Sequence, residues 1–566
     1  MPKRMPTALQ DLNPVLARVL AVRGIQHAED IGHELDALHR PTQAGLARAT
    51  AILADVVMTG RRLTIIGDFD ADGATSTALA MEAFHMMGAP SVDYLVPNRF
   101  EYGYGLTPEI VAVAAERGAE VLMTVDNGIS SVDGVEAATR LGIPVVITDH
   151  HLPGEQLPAA AAIVNPNQQG CAFPSKALAG VGVVFYVMTA LRATLAKRDW
   201  FTQCGLKKPH FASLLDLVAL GTIADLVPLD RNNRILVQQG LRRIRAGQVR
   251  PGIAALMGVG KRELSRAVSS DLAFAVAPRL NAAGRLDDMS HGIECLLAKD
   301  ETTARAYAAE LDQLNRERKD IEASMQAEAL AALNDVVFSA SSAPAGICLY
   351  DPSWHQGVIG ILAARVKERY HRPVVVFAEA SEDSVKGSAR SIPGVHLRDV
   401  LAEIDALNPG LITKFGGHAM AAGLTLRKAS LETFRTAFAT RAAHHFDVET
   451  LVEQVLTDGP LDAGDVTLAL ANTLVAHIPW GQQFEEPQFD NVFKVCQHRV
   501  LGDKHVKVTV QMPGSLQTFE GIAFNAVDYW PFHAEWVRVV YRLSENHFRG
   551  VSTVQLMIVY AEPSHQ

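Results

Sequence analysis

Three carboxylates alternate in Gly67-Asp68-Phe69-Asp70-Ala71-Asp72-Gly73, directly after a short apolar run. Like charges this close repel, and a chain tolerates them chiefly where a cation balances them. A D-x-D-x-D-G opening also begins the calcium loop of an EF-hand, but that loop needs a bidentate Glu at its twelfth position. Counted from Asp68, the twelfth residue is Leu79, so the EF-hand is excluded. A cation site and a solvated acidic turn both remain open on this run alone.

Three further stretches favour the cation. Val125-Asp126-Asn127-Gly128 and Thr148-Asp149-His150-His151 each follow a β-branched run, and Gly221-Thr222-Ile223-Ala224-Asp225 follows an apolar helical one. A His-His pair alone is more often structural. In the company of acidic strand ends it reads as part of one site. Mixed Asp and His donors suit Mn2+ or Mg2+. The five cysteines (Cys171, Cys204, Cys295, Cys348, Cys496) form no C-x-x-C pair, which leaves no thiolate framework for zinc. Two such cations about 3.5–4 Å apart, bridged by a carboxylate and a water, are the usual apparatus for phosphodiester hydrolysis. Asp68, Asp70, Asp72, Asp126, His150 and Asp225 are therefore the metal-ligand candidates, and Asp70, Asp126, His150 and His151 the catalytic ones.

The elements that must position these residues are legible in the hydrophobic pattern. Strands are predicted at 63–67, 92–96, 121–125 and 145–148, with helices at about 75–87, 108–117 and 132–141 between them. That alternation builds a parallel sheet covered by helices. Ligands of such sheets bind beyond the carboxyl ends of the strands, so Asp68, Asp126 and Asp149 converge on one edge. Further helices are expected at 178–191 and 214–220. Residues 301–334 hold no Pro or Gly. Tyr307, Leu311, Leu314, Ile321 and Met325 recur there at three- and four-residue spacing, interrupted by Arg318, which predicts one long amphipathic connecting helix. A small-residue stretch at 339–345 marks a boundary. A second α/β unit follows, with strands at 346–350 and 373–377 and a helix at 358–370. After about Glu485 short alternating runs at 506–510, 536–543 and 553–560 predict a small β-barrel or sandwich.

Asp149-His150-His151 is the motif that names the DHH phosphoesterase family, and the chain resembles that family. Asp68-Phe69-Asp70-Ala71 is similar to its first motif, Asp126 to its second acidic position and Asp225 to its fourth. Five further segments resemble the long-chain members that act on single-stranded DNA. They are Pro97-Asn98-Arg99 with Glu101 and Gly103-Tyr104-Gly105-Leu106, the run 277–285 (Ala277 to Arg285), the run 354–360 (Trp354 to Gly360), Ser388-Ala389-Arg390, and Gly416-Gly417-His418. The resemblance covers about 61–423, and the tail resembles an OB domain more loosely. One departure is the lack of a His shortly before the first Asp pair, which leaves one ion with fewer protein ligands.

The resemblance implies an α/β architecture: an N-terminal extension (1–60), a DHH parallel-sheet domain (61–300), a long connecting helix (301–335), a second, DHH-associated α/β domain (336–447) and a C-terminal OB-like β-barrel (448–566). It implies that Arg99, Ser388 and Arg390 clamp a terminal 5′-phosphate, that Arg279 and His355 also touch substrate, and that His418 lies close to the scissile phosphate. The implied activity is a single-stranded-DNA-specific 5′→3′ exonuclease. It would use Mn2+ or Mg2+, release 5′-mononucleotides in DNA repair and recombination, and work as a cytoplasmic monomer with a single-stranded-DNA-binding protein as partner. In the tail, Lys504, His505, Lys507, Phe524 and Arg542 are candidate strand contacts.

Composition sets the outer limits. The 566 residues suffice for two to four domains, and 48% hydrophobic residues for sizeable cores. The net charge of −10 counts against a uniformly basic nucleic-acid surface. It does not count against a local basic groove, and the ligand carboxylates contribute to it. No apolar run reaches bilayer length and no signal-peptide pattern opens the chain, so no membrane partner is expected. The alternatives are a DHH phosphodiesterase acting on short oligoribonucleotides or cyclic dinucleotides, against which length and the β tail argue, and a non-catalytic scaffold, against which the intact Asp and His set argues.

Overall fold

The structure, a computed structural model, describes residues 6–98, 105–154, 156–335, 344–445, 454–476, 478–548 and 550–565. The chain forms two compact units. The first comprises Met1–Gly284, Asp288–Leu311 and Leu456–Gln566, and the second Arg285–Asp287 and Asp312–Val455.

The first unit is built on five parallel strands: β1 (Leu63–Ile66), β2 (Val92–Leu95), β3 (Val121–Val125), β4 (Val145–Thr148) and β5 (Ala162–Val164), in the order β2-β1-β3-β4-β5. Every residue of β1, β3 and β4 is buried. Burial on both faces explains why these strands read as continuous β-branched runs rather than as alternation. The three-residue β5 is too short to carry a pattern, and the sequence did not announce it.

The helix expected from about Thr75 starts earlier and spans Ala71–Met86. Its N-cap is Asp70, whose carboxylate accepts from the Gly73 amide at 2.9 Å. The acidic run is thus a helix start, with Asp72 in the first turn. The helix expected at 178–191 runs over Gly180–Lys197. Among the described residues it is the one helix long and apolar enough to cross a membrane, and it is mostly buried inside the first unit. A third helix, Leu215–Ala224, carries Asp225 at its C-cap. Its first turn is anchored by Asp216, 1% exposed, which accepts from Arg250 Nε and Nη2 at 3.0 Å each.

The long helix is present as expected over Glu301–Asp335. Ala304, Ala308 and Leu311 are buried on the first unit's side, and Met325 and Ala329 on the second's. Between them the buried positions are polar. Arg318 donates to Glu322 at 2.8 Å and to Asn315 at 2.8 Å, and Glu322 also accepts from Arg365 at 3.0 Å. Arg318, which broke the apolar stripe in the sequence, belongs to this network.

The second unit holds a mixed sheet of β6 (Ile347–Tyr350), β7 (Val374–Ser381), β8 (Ser384–Arg390), β9 (Ile412–Gly417) and β10 (Ala421–Arg427), in the order β6-β7-β8-β10-β9. Only β6 and β7 pair in parallel, joined by the expected helix, here Ile359–Tyr370. The antiparallel strands β8, β9 and β10 were not anticipated, because Gly387, Gly416, Gly417 and Gly423 dilute their pattern.

The tail is a closed barrel of β11 (Phe489–Leu501), β12 (His505–Gln511), β13 (Thr518–Ala523), β14 (Trp536–Phe548) and β15 (Val551–Pro563), ordered β11-β12-β13-β15-β14. A barrel, not a sandwich, is therefore formed. The segment leading into it belongs to the first unit. Arg23 pairs with Asp458 at 2.7 Å, Leu229 donates its amide to Gln482 at 2.9 Å, and the Arg234 guanidinium lies 4.3 Å from the Phe484 ring centre.

Removing one partner of a buried ion pair strands the other. Arg250→Ala is expected to cost about 3–5 kcal/mol of stability by leaving Asp216 unpaired. Urea denaturation of the variant and the parent chain measures this, and a change under about 1 kcal/mol would mean that the pair does not hold the Asp225 helix.

Candidate metal centre

Strands β1, β3 and β4 are neighbours, so their carboxyl ends lie side by side. Asp126 directly follows β3 and its amide donates to Thr148 O at 3.0 Å, while Asp149 directly follows β4 and donates to Val164 O at 3.1 Å. Asn127 ties the edge together, donating to Ile66 O at 3.1 Å and Val125 O at 2.9 Å. Asp126 takes a left-handed backbone, φ 62°, which Asp tolerates better than most residues.

The expected ligands come together. Donor atoms of Asp68, Asp70 and Asp126 lie within 4.8 Å of one another, as do those of Asp72, His150 and Asp225, and those of Asp126, His150 and His151. His150 Nε2 stands 3.2 Å from Asp126 Oδ1 and 3.3 Å from Asp225 Oδ2. Two ligand groups, Asp68/Asp70/Asp126 and Asp72/His150/Asp225, are thus bridged where Asp126 meets His150.

Asp72 accepts from the amides of Gly180 at 2.6 Å and Val181 at 3.0 Å, so it also sits at the N-terminus of the Gly180–Lys197 helix, where negative charge is favoured. Two glycines make room here. A Cβ at Gly180 would fall 2.5 Å from Asp126 Oδ1, and one at Gly221 2.7 Å from Asp72 Oδ1.

The electrostatics follow from crowding. Burial, and next the charge of Asp70, push Asp68 up to about 8 and Asp72 up to about 7. Burial and then the charge of Asp72 hold Asp126 and Asp225 well above the usual carboxylate range. Asp149 behaves oppositely. Burial alone would raise it, yet its bond to His151 and its backbone donors bring it below the usual value. It accepts from the amides of Ile129, His150 and His151 and lies 2.7 Å from His151 Nδ1. That bond overcomes burial and lifts His151 to about 9. Asp149 therefore fixes the loop and the His151 ring.

Five crowded carboxylates, three of them buried, with one imidazole and no thiolate are a donor set suited to Mn2+ or Mg2+. A cation would supply the charge that these carboxylates lack.

The expected substrate residues are distributed over both units. Arg279 lies in the Ala277–Leu286 helix of the first unit and donates to Ala275 O. Ser388 and Arg390 share one face of β8 in the second. Arg390 donates to Ser388 Oγ at 3.2 Å and to Ala389 O at 2.8 Å. A Cβ on Gly360 would fall 2.9 Å from Ser388 Oγ and 3.0 Å from Arg390 Nη2, so this glycine, at the start of the Ile359–Tyr370 helix, opens the space beside them. Among the described residues Arg390 makes no ion pair. A guanidinium, a hydroxyl and a helix N-terminus are groups that can each bind an anion. His355 Nδ1 accepts from the Gly357 amide at 3.0 Å. His418 is exposed in the β9–β10 hairpin, and its amide donates to Ala421 O at 2.8 Å. Arg99 lies outside the described residues.

Comparison with known proteins decides the family. The model described as "DHH family, N-terminal domain" matches residues 62–222, the DHHA1 domain residues 343–443 and the RecJ OB domain residues 457–560. The single-stranded-DNA-specific exonuclease RecJ of Dickeya dadantii is 53% identical over 99% of this chain and 99% of its own length. That of Escherichia coli is 50% identical over 97% and 96%. The chain belongs to the RecJ family. A RecJ structure from Thermus thermophilus in complex with Mn2+ superposes with a TM-score of 0.80 at 28% identity, covering 99% of this chain and 77% of that one. A Mg2+ complex of RecJ from the same organism gives a TM-score of 0.76 at 27% identity, covering 99% and 76%.

Asp149 is expected from the sequence as a strand-end acid converging on the ligand edge, and the structure makes it the group that orients His151. Two groups of residues at this RecJ-family site were not singled out from the sequence as site residues. Gly180 and Gly221 looked like ordinary glycines of apolar helices. Asn281 accepts from the Ala71 amide at 2.8 Å, within the first ligand segment. Their signal was a small or amide residue inside a helical pattern, which without contacts has many meanings.

The raised carboxyls predict a pH effect on the metal-free protein. Below about pH 4 Asp68 and Asp72 are protonated whether the chain is folded or not, and no penalty exists. As pH rises the unfolded groups ionise first, so stability falls through the interval up to about pH 8, where the penalty is complete. Asp68→Asn removes one such group. After chelation, its melting temperature is expected to fall less than that of the parent between about pH 5 and about pH 8. Equal falls would contradict the assigned crowding.

Proposed function

We propose that the chain degrades single-stranded DNA from its 5′ end, hydrolysing phosphodiester bonds at a two-cation centre and releasing 5′-mononucleotides. The observation that carries this reading is the convergence of Asp68, Asp70, Asp72, Asp126, His150 and Asp225 on one sheet edge. It occurs in a chain that matches single-stranded-DNA-specific exonucleases almost end to end. Mn2+ or Mg2+ bound there would polarise the attacking water and offset the charge that develops on the phosphate oxygens. The protein's part is to hold these ligands against their mutual repulsion. His151, held by Asp149, is assigned to the reacting phosphate, and His418 to the same group. Arg99, Arg279 and His355 are assigned to the strand.

Ser388 and Arg390 are assigned to the terminal 5′-phosphate. The support is the half-buried guanidinium without an acidic partner among the described residues, beside the start of the Ile359–Tyr370 helix. The division of labour follows the domains: catalysis in 61–300, the connecting helix at 301–335, the 5′ end in 336–447, and strand binding in the barrel of 448–566, with 1–60 as an extension. Phe524, half exposed on the barrel, lies edge-on to His505 at 5.1 Å and is assigned to stacking on a base. Arg542 is a weaker candidate, because it pairs with Glu486 at 3.1 Å. We further assign the chain to DNA repair and recombination, as a cytoplasmic monomer working with a single-stranded-DNA-binding protein. The small-substrate alternative would leave the barrel without work.

Asp70→Ala, Asp126→Ala and His150→Ala are each expected to abolish release of mononucleotides from a 5′-phosphorylated single strand in Mn2+, with the fold kept. Circular dichroism checks the fold. Parent-like rates in any of the three refute the ligand assignment. Arg390→Ala is expected to lower efficiency on 5′-phosphorylated strands about tenfold more than on 5′-hydroxyl strands, since a charge-assisted bond contributes roughly 1.5–3 kcal/mol. An equal loss on both would move Arg390 away from the strand's terminus.

A further inference from the structure

We infer that Asn281 and Gly284, three residues apart on the Ala277–Leu286 helix, clamp the Asp68–Asp72 segment into the shape that binds cation. Both are positioning residues, and the inference rests on the two-cation reading. Two contacts carry it. Asn281 Oδ1 accepts from the Ala71 amide at 2.8 Å. Ala71 is the first residue of its helix, and the amides of a first helical turn have no partner within the helix. The Asp70 carboxylate serves the Gly73 amide. The Ala71 amide, in a residue only 1% exposed, depends on Asn281.

The second contact is steric. A Cβ on Gly284 would fall 1.7 Å from Phe69 O, and that oxygen belongs to backbone that cannot step aside cheaply. A glycine within a helix lowers stability relative to alanine, so its presence calls for a reason. Here the reason is close backbone approach. Phe69 and Ala71 alternate with Asp68, Asp70 and Asp72, so the two contacts grip the residues between the carboxylates without using the carboxylates themselves. Burial and mutual repulsion would otherwise spread that segment.

The test is titration of the full chain with Mn2+, read by electron paramagnetic resonance, for the parent, Asn281→Ala, Asn281→Asp and Gly284→Ala. Melting curves and steady-state kinetics on a 5′-phosphorylated oligonucleotide accompany it. Asn281→Ala is expected to weaken Mn2+ binding roughly tenfold or more, the scale seen when a group supporting metal ligands is lost. kcat should fall while KM for the oligonucleotide stays unchanged. Asn281→Asp keeps the acceptor and is expected to retain parent-like binding. Gly284→Ala should resemble Asn281→Ala, and if it fails to fold the two Asn281 variants decide alone. Parent-like Mn2+ binding by Asn281→Ala, or an Asn281→Asp loss as large as that of Asn281→Ala, overturns the clamp. A parent chain that takes up no Mn2+ overturns the two-cation reading itself.

Discussion

Carboxylates pressed together away from water are the constraint on which the rest of this structure depends. Asp68, Asp72, Asp126 and Asp225 are each pushed up first by burial and then by one another. Such an arrangement is unfavourable for the bare chain and persists only if the surrounding fold enforces it. The enforcement is visible. Parallel strands deliver Asp68 and Asp126 from adjacent positions, a left-handed backbone aims Asp126, and helix amides receive Asp72. A small, highly charged ion bound among these carboxylates would offset their repulsion.

The supporting groups differ from the ligands in kind. Asp149 has a lowered rather than a raised pKa, because the His151 ring and backbone amides already satisfy its carboxylate. It orders the loop on which His150 sits. Asn165 and Asn167 complete that loop, donating to His151 O at 2.8 Å and His150 O at 2.6 Å. In the second unit the logic is reversed in sign. Arg390 is a half-buried cation whose bonds go to a hydroxyl and a carbonyl, beside a helix N-terminus. The first unit presents crowded carboxylates, and the second a guanidinium without an acidic partner among the described residues.

Much of this was legible in the residues. β1, β3 and β4 are short β-branched runs because they are buried on both faces, and their ends named the site. The 35-residue helix was legible because no Pro or Gly interrupts it. What stayed hidden has physical causes. The helix start at Ala71 was placed four residues late because an acidic turn and an Asp N-cap look alike until the Gly73 amide is seen to bind Asp70. Strands β8 to β10 were missed because glycines replace the alternation. The anchoring of the barrel's leading segment on the first unit, through Arg23, Arg234 and Leu229, rests on contacts more than two hundred residues apart, which no local pattern encodes.

Two cations sharing this edge, joined where Asp126 meets His150, are what the proposed reaction requires. Anomalous diffraction from Mn2+-soaked crystals, collected at the manganese absorption edge, tests this most directly. Two peaks about 3.5–4 Å apart are expected, one beside Asp68 and Asp70 and the other beside His150 and Asp225, both close to Asp126. No peak at this edge, or a single ion bound away from Asp126, would contradict that requirement.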